Sequence, residues 1–209
     1  MAQERGWLLL TNDDGIEAVG LETLVKALHD EGYPVAVLAP SGNHSATGMR
    51  INLMKPMAYR PRDDLVERWG LNPHTTPVHL FELDGTPCDT MIVALDGGLN
   101  HLVPGVHPQM VVSGVNLGPN LSQDSYHSGT MGAAREAGLY GVPAIAASFT
   151  SFDPVGMERA VEATLDIVAA AAAVLPVKAG NLARPKGALE TTYFTTWPKQ
   201  SADEPWRDH

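Results

Sequence analysis

Apolar residues along this chain alternate between short continuous runs and helical spacings. Trp7-Leu8-Leu9-Leu10 is an uninterrupted apolar run and reads as a buried strand. Leu21, Leu24, Val25 and Leu28 then recur at i, i+3, i+4 and i+7, one face of a helix, with Gly32 as its stop. Val35-Ala36-Val37-Leu38 is a second strand, closed by Ala39-Pro40. A strand, helix and strand in that order make a right-handed crossover between parallel strands.

Residues 49 to 80 break the rhythm. Proline and charge are frequent there, and short strands or an exposed excursion are expected. Regularity returns at DGTPCDTMIVALDGG. Thr86 caps a helix, Pro87 suits its first turn, Asp89 completes a capping-box-like arrangement, and Gly97 ends it. Met91, Ile92 and Leu95 supply the apolar face. Met110-Val111-Val112 predicts a third strand followed by a loop, SGVNLGPN. HSGTMGAAREAGLYG predicts a Ser/Thr-capped helix stopped at Gly141, and Ala144 to Ala147 a fourth strand. Pro154 opens a long alanine-rich helix that Pro176 stops, and a further strand is expected over Thr191 to Thr196.

Strands alternating with helices indicate an α/β fold: a three-layer, Rossmann-like core with a mainly parallel sheet and helices on both faces. Residues 1–176 are expected to form the catalytic domain and residues 177–209 a C-terminal tail. In this architecture ligands sit beyond the carboxyl ends of the strands. The segments leaving those ends are TNDDG, APSGNHSATG, SGVNLGPN and SFTSFD, which are polar and, in the first three, glycine-bearing.

Composition narrows the function. The length of 209 residues fits one domain, and 44% hydrophobic content supplies its core. A formal net charge of −10 argues against a binder of duplex nucleic acid, which needs a basic face, but leaves a small anionic substrate open. The single cysteine, Cys88, excludes an intramolecular disulfide and fits a reducing cytoplasm. No apolar stretch is long enough to span a bilayer, and residues 7 to 10 are too short a run for a secretory signal. A cytoplasmic location without a membrane partner is therefore expected.

The chemistry centres on Asp13-Asp14-Gly15. A turn with a helix cap accounts for these residues when they are taken alone. A hard divalent cation also accounts for them, and explains why two adjacent carboxylates tolerate each other. Other loops at the rim offer neutral oxygens: Ser41, Ser45, Thr47, Asn116 and Asn120. Such a donor set suits Mg²⁺ or Mn²⁺ better than zinc or iron, for which histidine or cysteine ligands are usual. At Tyr126-His127-Ser128-Gly129-Thr130-Met131 a helix begins. Free N–H groups at a helix start bind phosphate, and hydroxyls of Ser128 and Thr130 would add to them; ordinary N-capping is the plainer reading. Cys88 reads as a packed small side chain, Asp89 as a cap, and Glu158, Glu162 and Asp166 as a solvated helix face.

Five ordered blocks, LLLTNDDGIEAVGLETL, VLAPSGNHSATG, DGTPCDTMIVAL, VVSGVNLGPNLSQDSYHSGT and GVPAIAAS, resemble the motifs of the SurE survival-protein family. The resemblance runs from about residue 7 to 150. It implies a metal-dependent phosphatase of nucleoside monophosphates, a 5′/3′-nucleotidase. It also implies that Asp13, Asp14, Ser45 and Asn116 hold the metal, so that Ser45 is chosen over Ser41. Asn12, Asn120, Ser128, Gly129 and Thr130 would hold the phosphoryl oxygens, with Asp13 and Asp14 as the catalytic pair and one of them accepting a proton from the attacking water. Where the family often carries a basic residue before the serine of its second block, this chain has His44. The family's C-terminal region commonly includes an arm used in subunit exchange; here the tail is short and unmatched. A homo-oligomer, dimer or tetramer, is the expected assembly. The competing reading is a non-catalytic nucleotide-binding or interaction module that kept the fold. A phosphoacceptor domain lacks its acceptor aspartate at the Val112-Ser113-Gly114 strand end, and a dinucleotide enzyme lacks G-x-G-x-x-G after the first strand.

Overall fold

The apolar run that opens the chain lies in the middle of the sheet. A computed structural model describes residues 5–175 together with the backbone of residues 192–197. In chain order the elements are β1 (Trp7–Thr11), α1 (Val19–Asp30), β2 (Val35–Pro40), β3 (Tyr59–Pro61), α2 (Asp63–Arg68), β4 (Val78–Leu83) and α3 (Pro87–Val93). A wider π-turn, Ala94–Gly98, leads to α4 (Leu99–Leu102). Then follow β5 (Pro108–Leu117), α5 (Asp124–His127), α6 (Gly129–Leu139), β6 (Ala144–Phe149), α7 (Met157–Val174) and β7 (Thr192–Trp197). The sheet order is β3-β4-β2-β1-β5-β6-β7. All neighbours are parallel except β3, which runs antiparallel to β4 at one edge.

Period-two alternation sends successive strand residues to opposite faces. Leu8, Leu10, Val35 and Val37 meet Leu21, Leu24, Val25 and Leu28 of α1 and Met157, Ala160, Val161 and Val168 of α7. Leu9, Ala36, Leu38 and Val111 meet Met91 of α3 and Ala133, Ala134 and Ala137 of α6. This is the expected three-layer Rossmann-like arrangement, helices on both faces of a mainly parallel sheet. The α3 capping box also forms as expected. Thr86 Oγ1 accepts from the Asp89 N–H at 3.2 Å and Asp89 Oδ2 accepts from the Thr86 N–H at 2.8 Å.

Two stretches differ from the sequence reading. The irregular middle contains β4, which pairs with β2 along its whole length. Its apolar rhythm is interrupted by His79 and Glu82, so it does not show the continuous run of a buried parallel strand. The segment SGVNLGPN is not all loop, because β5 continues through Leu117. Its register against β6 shifts between Ser113 and Asn116, which bends the strand end and hides the continuity from any count of alternation. The strand expected over Thr191 to Thr196 is present one residue later as β7, parallel to β6. The stop expected at Pro176 lies outside the described residues.

The chain leaves β1 towards β2 on one side, and later returns to place β5 on the other. The crevice between the carboxyl ends of β1 and β5 is thus the point where the strand order reverses, the preferred ligand position in such sheets. Asp13 and Asp14 follow β1 there, and Asn116 stands at the end of β5.

Candidate active site

The turn after β1 is built by its own sequence. Asn12, fully buried, donates from Nδ2 to the Gly15 carbonyl at 2.8 Å and accepts the Gly15 N–H on Oδ1 at 3.2 Å. Gly15 adopts φ +103°, a conformation that glycine enters without steric cost. Asn12 was expected to bind phosphate, yet both ends of its amide hold the turn that aims the two aspartates.

Asp13 is 3% exposed. Its Oδ1 accepts from Thr130 Oγ1 at 2.5 Å, and the backbone N–H groups of Gly129 and Thr130 also face its carboxylate. The start of α6 therefore already carries an anion, the side chain of Asp13, where the sequence reading placed phosphate alone. Thr130 is fully buried and its hydroxyl donates to Asp13, so it reaches a substrate only through that carboxylate. Gly129 is required by this approach: a Cβ there would stand 2.8 Å from Asp13 Cβ. Asp14 is half-buried. Its Oδ2 accepts from the Leu117 N–H at 3.0 Å, and Asn43 Nδ2 reaches Oδ1 at 3.5 Å.

The loop after β2 closes over this turn. The His44 N–H donates to the Asp13 carbonyl at 2.6 Å, the Ser45 N–H to Asn43 Oδ1 at 2.8 Å, and the Gly48 N–H to the His127 carbonyl at 2.7 Å. Ser45 is exposed on this loop. Asn116 donates from Nδ2 to the Gly118 carbonyl at 2.8 Å, which leaves its Oδ1 as the acceptor end. Asn120 donates to Ser148 Oγ at 2.7 Å and is 7% exposed. Ser128 is the N-cap of α6, its Oγ accepting from the Met131 N–H at 3.1 Å, as the plain capping reading has it.

The electrostatics is one-sided. Burial pushes the Asp13 carboxyl above its ordinary value, although the donors of Thr130 and Gly129 pull the other way. Burial pushes Asp14 up to about 6, and the neighbouring Asp13 charge adds to the shift. Among the described residues neither aspartate forms an ion pair with a lysine, arginine or histidine. Nor is there a cluster of three or more His, Cys, Asp or Glu able to hold a metal among them. The groups that contact the pair are neutral: N–H donors and the Thr130 hydroxyl. Two adjacent carboxylates without a protein counter-charge, with Asn116 at the end of β5 and Ser45 on the loop after β2, are residue types that fit a hard divalent cation.

Other candidates resolve differently. Burial pushes the Cys88 thiol up to about 12, and Cys88 is a packed core residue. Burial, then Arg50, lowers the His44 pKa, which disfavours a cationic contact at that position. Asn43 and the Leu117 N–H escaped the sequence reading. Asn43 carried a faint signal, an asparagine two residues before a serine, which is an Asx-turn pattern. A backbone N–H carries none.

A Rossmann-like, mainly parallel sheet with two adjacent carboxylates at its switch point defines an α/β protein whose acidic pair stands at the usual ligand position of such folds. The chain belongs to the SurE family: residues 8–202 match the family described as Survival protein SurE. It is similar to the 5′-nucleotidase SurE of Desulfitobacterium hafniense (strain DSM 10664 / DCB-2), 39% identical over 155 residues, 74% of this chain and 55% of that protein. It is similar to the 5′-nucleotidase SurE of Anaeromyxobacter sp. (strain Fw109-5), 40% identical over 147 residues, 70% of this chain and 50% of that protein. The crystal structure of the SurE protein from Aquifex aeolicus superposes with a TM-score of 0.69 at 28% identity, covering 92% of this chain and 66% of that one. The chain thus spans about half the length of the curated relatives it matches. No helix among the described residues is long and apolar enough to cross a membrane.

Proposed function

We propose that this chain hydrolyses nucleoside monophosphates to nucleoside and phosphate, as a metal-dependent 5′-nucleotidase. The observation that carries the reading is the Asp13-Asp14 pair: Asp13 buried and Asp14 half-buried, hydrogen-bonded on both carboxylates, and without a cationic side chain among the described residues, at the switch point of a mainly parallel sheet. The names of its relatives support the reaction and the 5′ position.

Asp13, Asp14, Ser45 and Asn116 hold Mg²⁺ or Mn²⁺ in this reading. When bound, the ion polarises a phosphoryl oxygen and lowers the pKa of water. The protein's own share is orientation and charge. Thr130 and the α6 N–H groups fix Asp13 as an oxygen ligand, and the Leu117 N–H fixes Asp14. One aspartate takes the proton of the attacking water. Asn120, Ser128 and Gly129 line the phosphoryl position, while Asn12 and Thr130 act behind them as positioning residues. Most of the rate gain then comes from preorganised geometry and electrostatics.

Three further statements belong to this proposal. Residues 1–176, together with β7, which extends their sheet, carry the catalytic unit, and the segment 177–209 has a role in homo-oligomers, dimer or tetramer. The location is cytoplasmic, which the single buried cysteine supports. Nucleoside monophosphates, rather than nucleic-acid duplexes, are the partners, which the acidic balance supports. The test is phosphate release from AMP, GMP, CMP and UMP in Mn²⁺, in Mg²⁺ and in EDTA. Equal release in EDTA overturns the metal role, and no release under any condition overturns the activity.

A further inference from the structure

Phe152 is 79% exposed, in the loop that leaves β6 at the same rim as the aspartates. Its ring lies against the backbone of Gly118. A Cβ at Gly118 would stand 2.6 Å from Phe152 Cε1 and 3.1 Å from Cδ1, so only a glycine admits the ring there. Gly118 in turn is tied to the site, since its carbonyl accepts from Asn116 Nδ2 at 2.8 Å and its N–H donates to the Phe149 carbonyl at 3.0 Å. The ring is therefore one residue contact away from Asn116.

The loop is held in shape by its own side chains. Ser151, 9% exposed, accepts the Asp153 N–H on Oγ at 3.0 Å, and Asp153 Oδ1 accepts the Val155 N–H at 3.1 Å. These turns flank Phe152 on both sides and present it outward. Among the described residues the ring makes no stacking contact with another aromatic ring or a guanidinium, whereas the exposed Tyr126 lies under the Arg135 guanidinium at 5.7 Å. An apolar ring that is mostly in water, fixed on one side by a glycine and beside a phosphate-and-metal crevice, has a free π-face.

We propose that Phe152 is the platform on which the nucleobase of the substrate stacks. The inference rests on the nucleotidase reading above and adds the residue that recognises the base. Stacking uses the π-face that every base has and reads no hydrogen-bonding edge, so the platform favours nucleotides over base-free phosphate esters without choosing strongly among bases. Phe152 contributes to substrate binding and orientation and takes no part in proton transfer.

The experiment compares AMP with ribose 5-phosphate, which has the same phosphate and sugar and no base. The quantity read is the ratio of kcat/KM for AMP to that for ribose 5-phosphate in Mn²⁺. Phe152→Ala is expected to lower that ratio by about 5- to 100-fold. Phe152→Trp is expected to restore it, and Phe152→Leu, which keeps apolar bulk without a π-face, to restore less. Equilibrium dialysis of AMP and of ribose 5-phosphate against the same proteins gives a readout independent of turnover. A wild-type protein that hydrolyses AMP with a ratio unmoved by Phe152→Ala overturns the platform and leaves the nucleotidase reading standing. A wild-type protein that hydrolyses neither ester overturns the nucleotidase reading. The platform then stands only if AMP binds more tightly than ribose 5-phosphate and Phe152→Ala removes the difference.

Discussion

Two groups of carboxylates in this fold are treated in opposite ways. Glu17, Asp64 and Glu82 gather around Arg62, whose side chain is 6% exposed, with contacts of 2.6, 2.8 and 2.8 Å. Arg68 adds a second contact to Glu17 at 2.8 Å, and Arg60 one to Glu82 at 2.8 Å. Each of these acids has an arginine partner within the fold. Asp13 and Asp14, only a few residues before Glu17, have hydrogen-bond donors and no cationic partner among the described residues. The pKa directions record the difference. An Arg62 hydrogen bond holds Asp64 down to about 2, and hydrogen bonds from Arg68 and then Arg62 hold Glu17 below its ordinary value, whereas burial drives Asp13 and Asp14 up. The chain supplies arginines to its edge network but none to the Asp13-Asp14 pair among the described residues, and this contrast supports the proposed role of the pair in holding a metal ion.

The strongest way to break the contrast is to remove one charge from each group. On the proposed function, Asp13→Asn is expected to reduce AMP hydrolysis by orders of magnitude, because a proposed ligand of the metal ion is lost. In EDTA the same variant is expected to be as stable as the wild type or slightly more so, since it relieves a buried, repelling charge. Mn²⁺ should raise the wild-type melting temperature by linkage and raise the variant's less. A wild type with no Mn²⁺-dependent shift, hydrolysing AMP equally in EDTA, refutes the external-cation account.

Arg62→Ala is the matching change in the paired group. It is expected to cost about 3 kcal/mol in urea unfolding, because a buried cation that satisfies Glu82 and tethers two further acids disappears. Metal should not alter that cost. A loss below about 1 kcal/mol would place the network with ordinary surface pairs.

Thr130→Val tests the support behind Asp13. The hydroxyl donates to a buried carboxylate, and its loss is expected to cost about 2 kcal/mol of the interactions that hold the ligand in place. Activity in Mn²⁺ should fall about 30-fold, and Thr130→Ser should recover most of it. Unchanged kinetics would return Thr130 to a purely structural position.

The two groups should also respond to pH with opposite sign in the metal-free protein. A carboxyl whose folded pKa is raised contributes stability below its unfolded value and loses it as pH rises through the folded one. For Asp14 that loss falls between 3.8 and about 6. A carboxyl whose folded pKa is lowered contributes above its unfolded value and loses it as pH falls. For Asp64 that loss falls between 3.8 and about 2. Melting temperatures in EDTA should therefore decline from pH 4 to 6, and this decline should shrink in Asp14→Asn, the remainder belonging to Asp13, whose carboxyl is raised as well. The acid-side decline should shrink in Arg62→Ala.

The sequence exposed these two groups unequally. β1, β2 and β6 announce themselves by continuous apolar runs, and Asp13-Asp14 stands out because adjacent acids at a strand end require a reason. The Arg62 network was invisible, since Glu17, Arg62 and Glu82 come together only when β4 is recognised beside β3, and β4 lacks the uniform apolar pattern. Within the site, Asn116 and Asn120 could be read from the polar segment after the third strand. The Leu117 N–H that holds Asp14 could not, because it exists as a donor only if β5 runs on through Asn116. The sequence places Asn12 at the end of the first strand and Thr130 at a helix start, positions from which either could contact a ligand. Their actual partners, Gly15 and Asp13, are set by how tightly the turn after β1 packs against the start of α6.

The smallest effect separates burial from mere pairing. Arg62 and Arg68 both contact Glu17, at 2.6 and 2.8 Å, so a count of ion pairs ranks them together. Their surroundings differ: the Arg68 side chain is 54% exposed and Glu17 51%, while Arg62 is almost wholly enclosed. In water-accessible surroundings the attraction is screened, and holding two long side chains in one geometry costs entropy that nearly offsets it. Arg68→Ala should therefore change urea stability by less than about 1 kcal/mol, and its effect should fade further in high salt. Arg62→Ala should keep most of its cost in the same salt, because Arg62 and its partner Glu82 are both largely enclosed. Equal losses for the two arginines would mean that proximity alone governs the network, and the contrast drawn with Asp13 and Asp14 would lose its basis in burial.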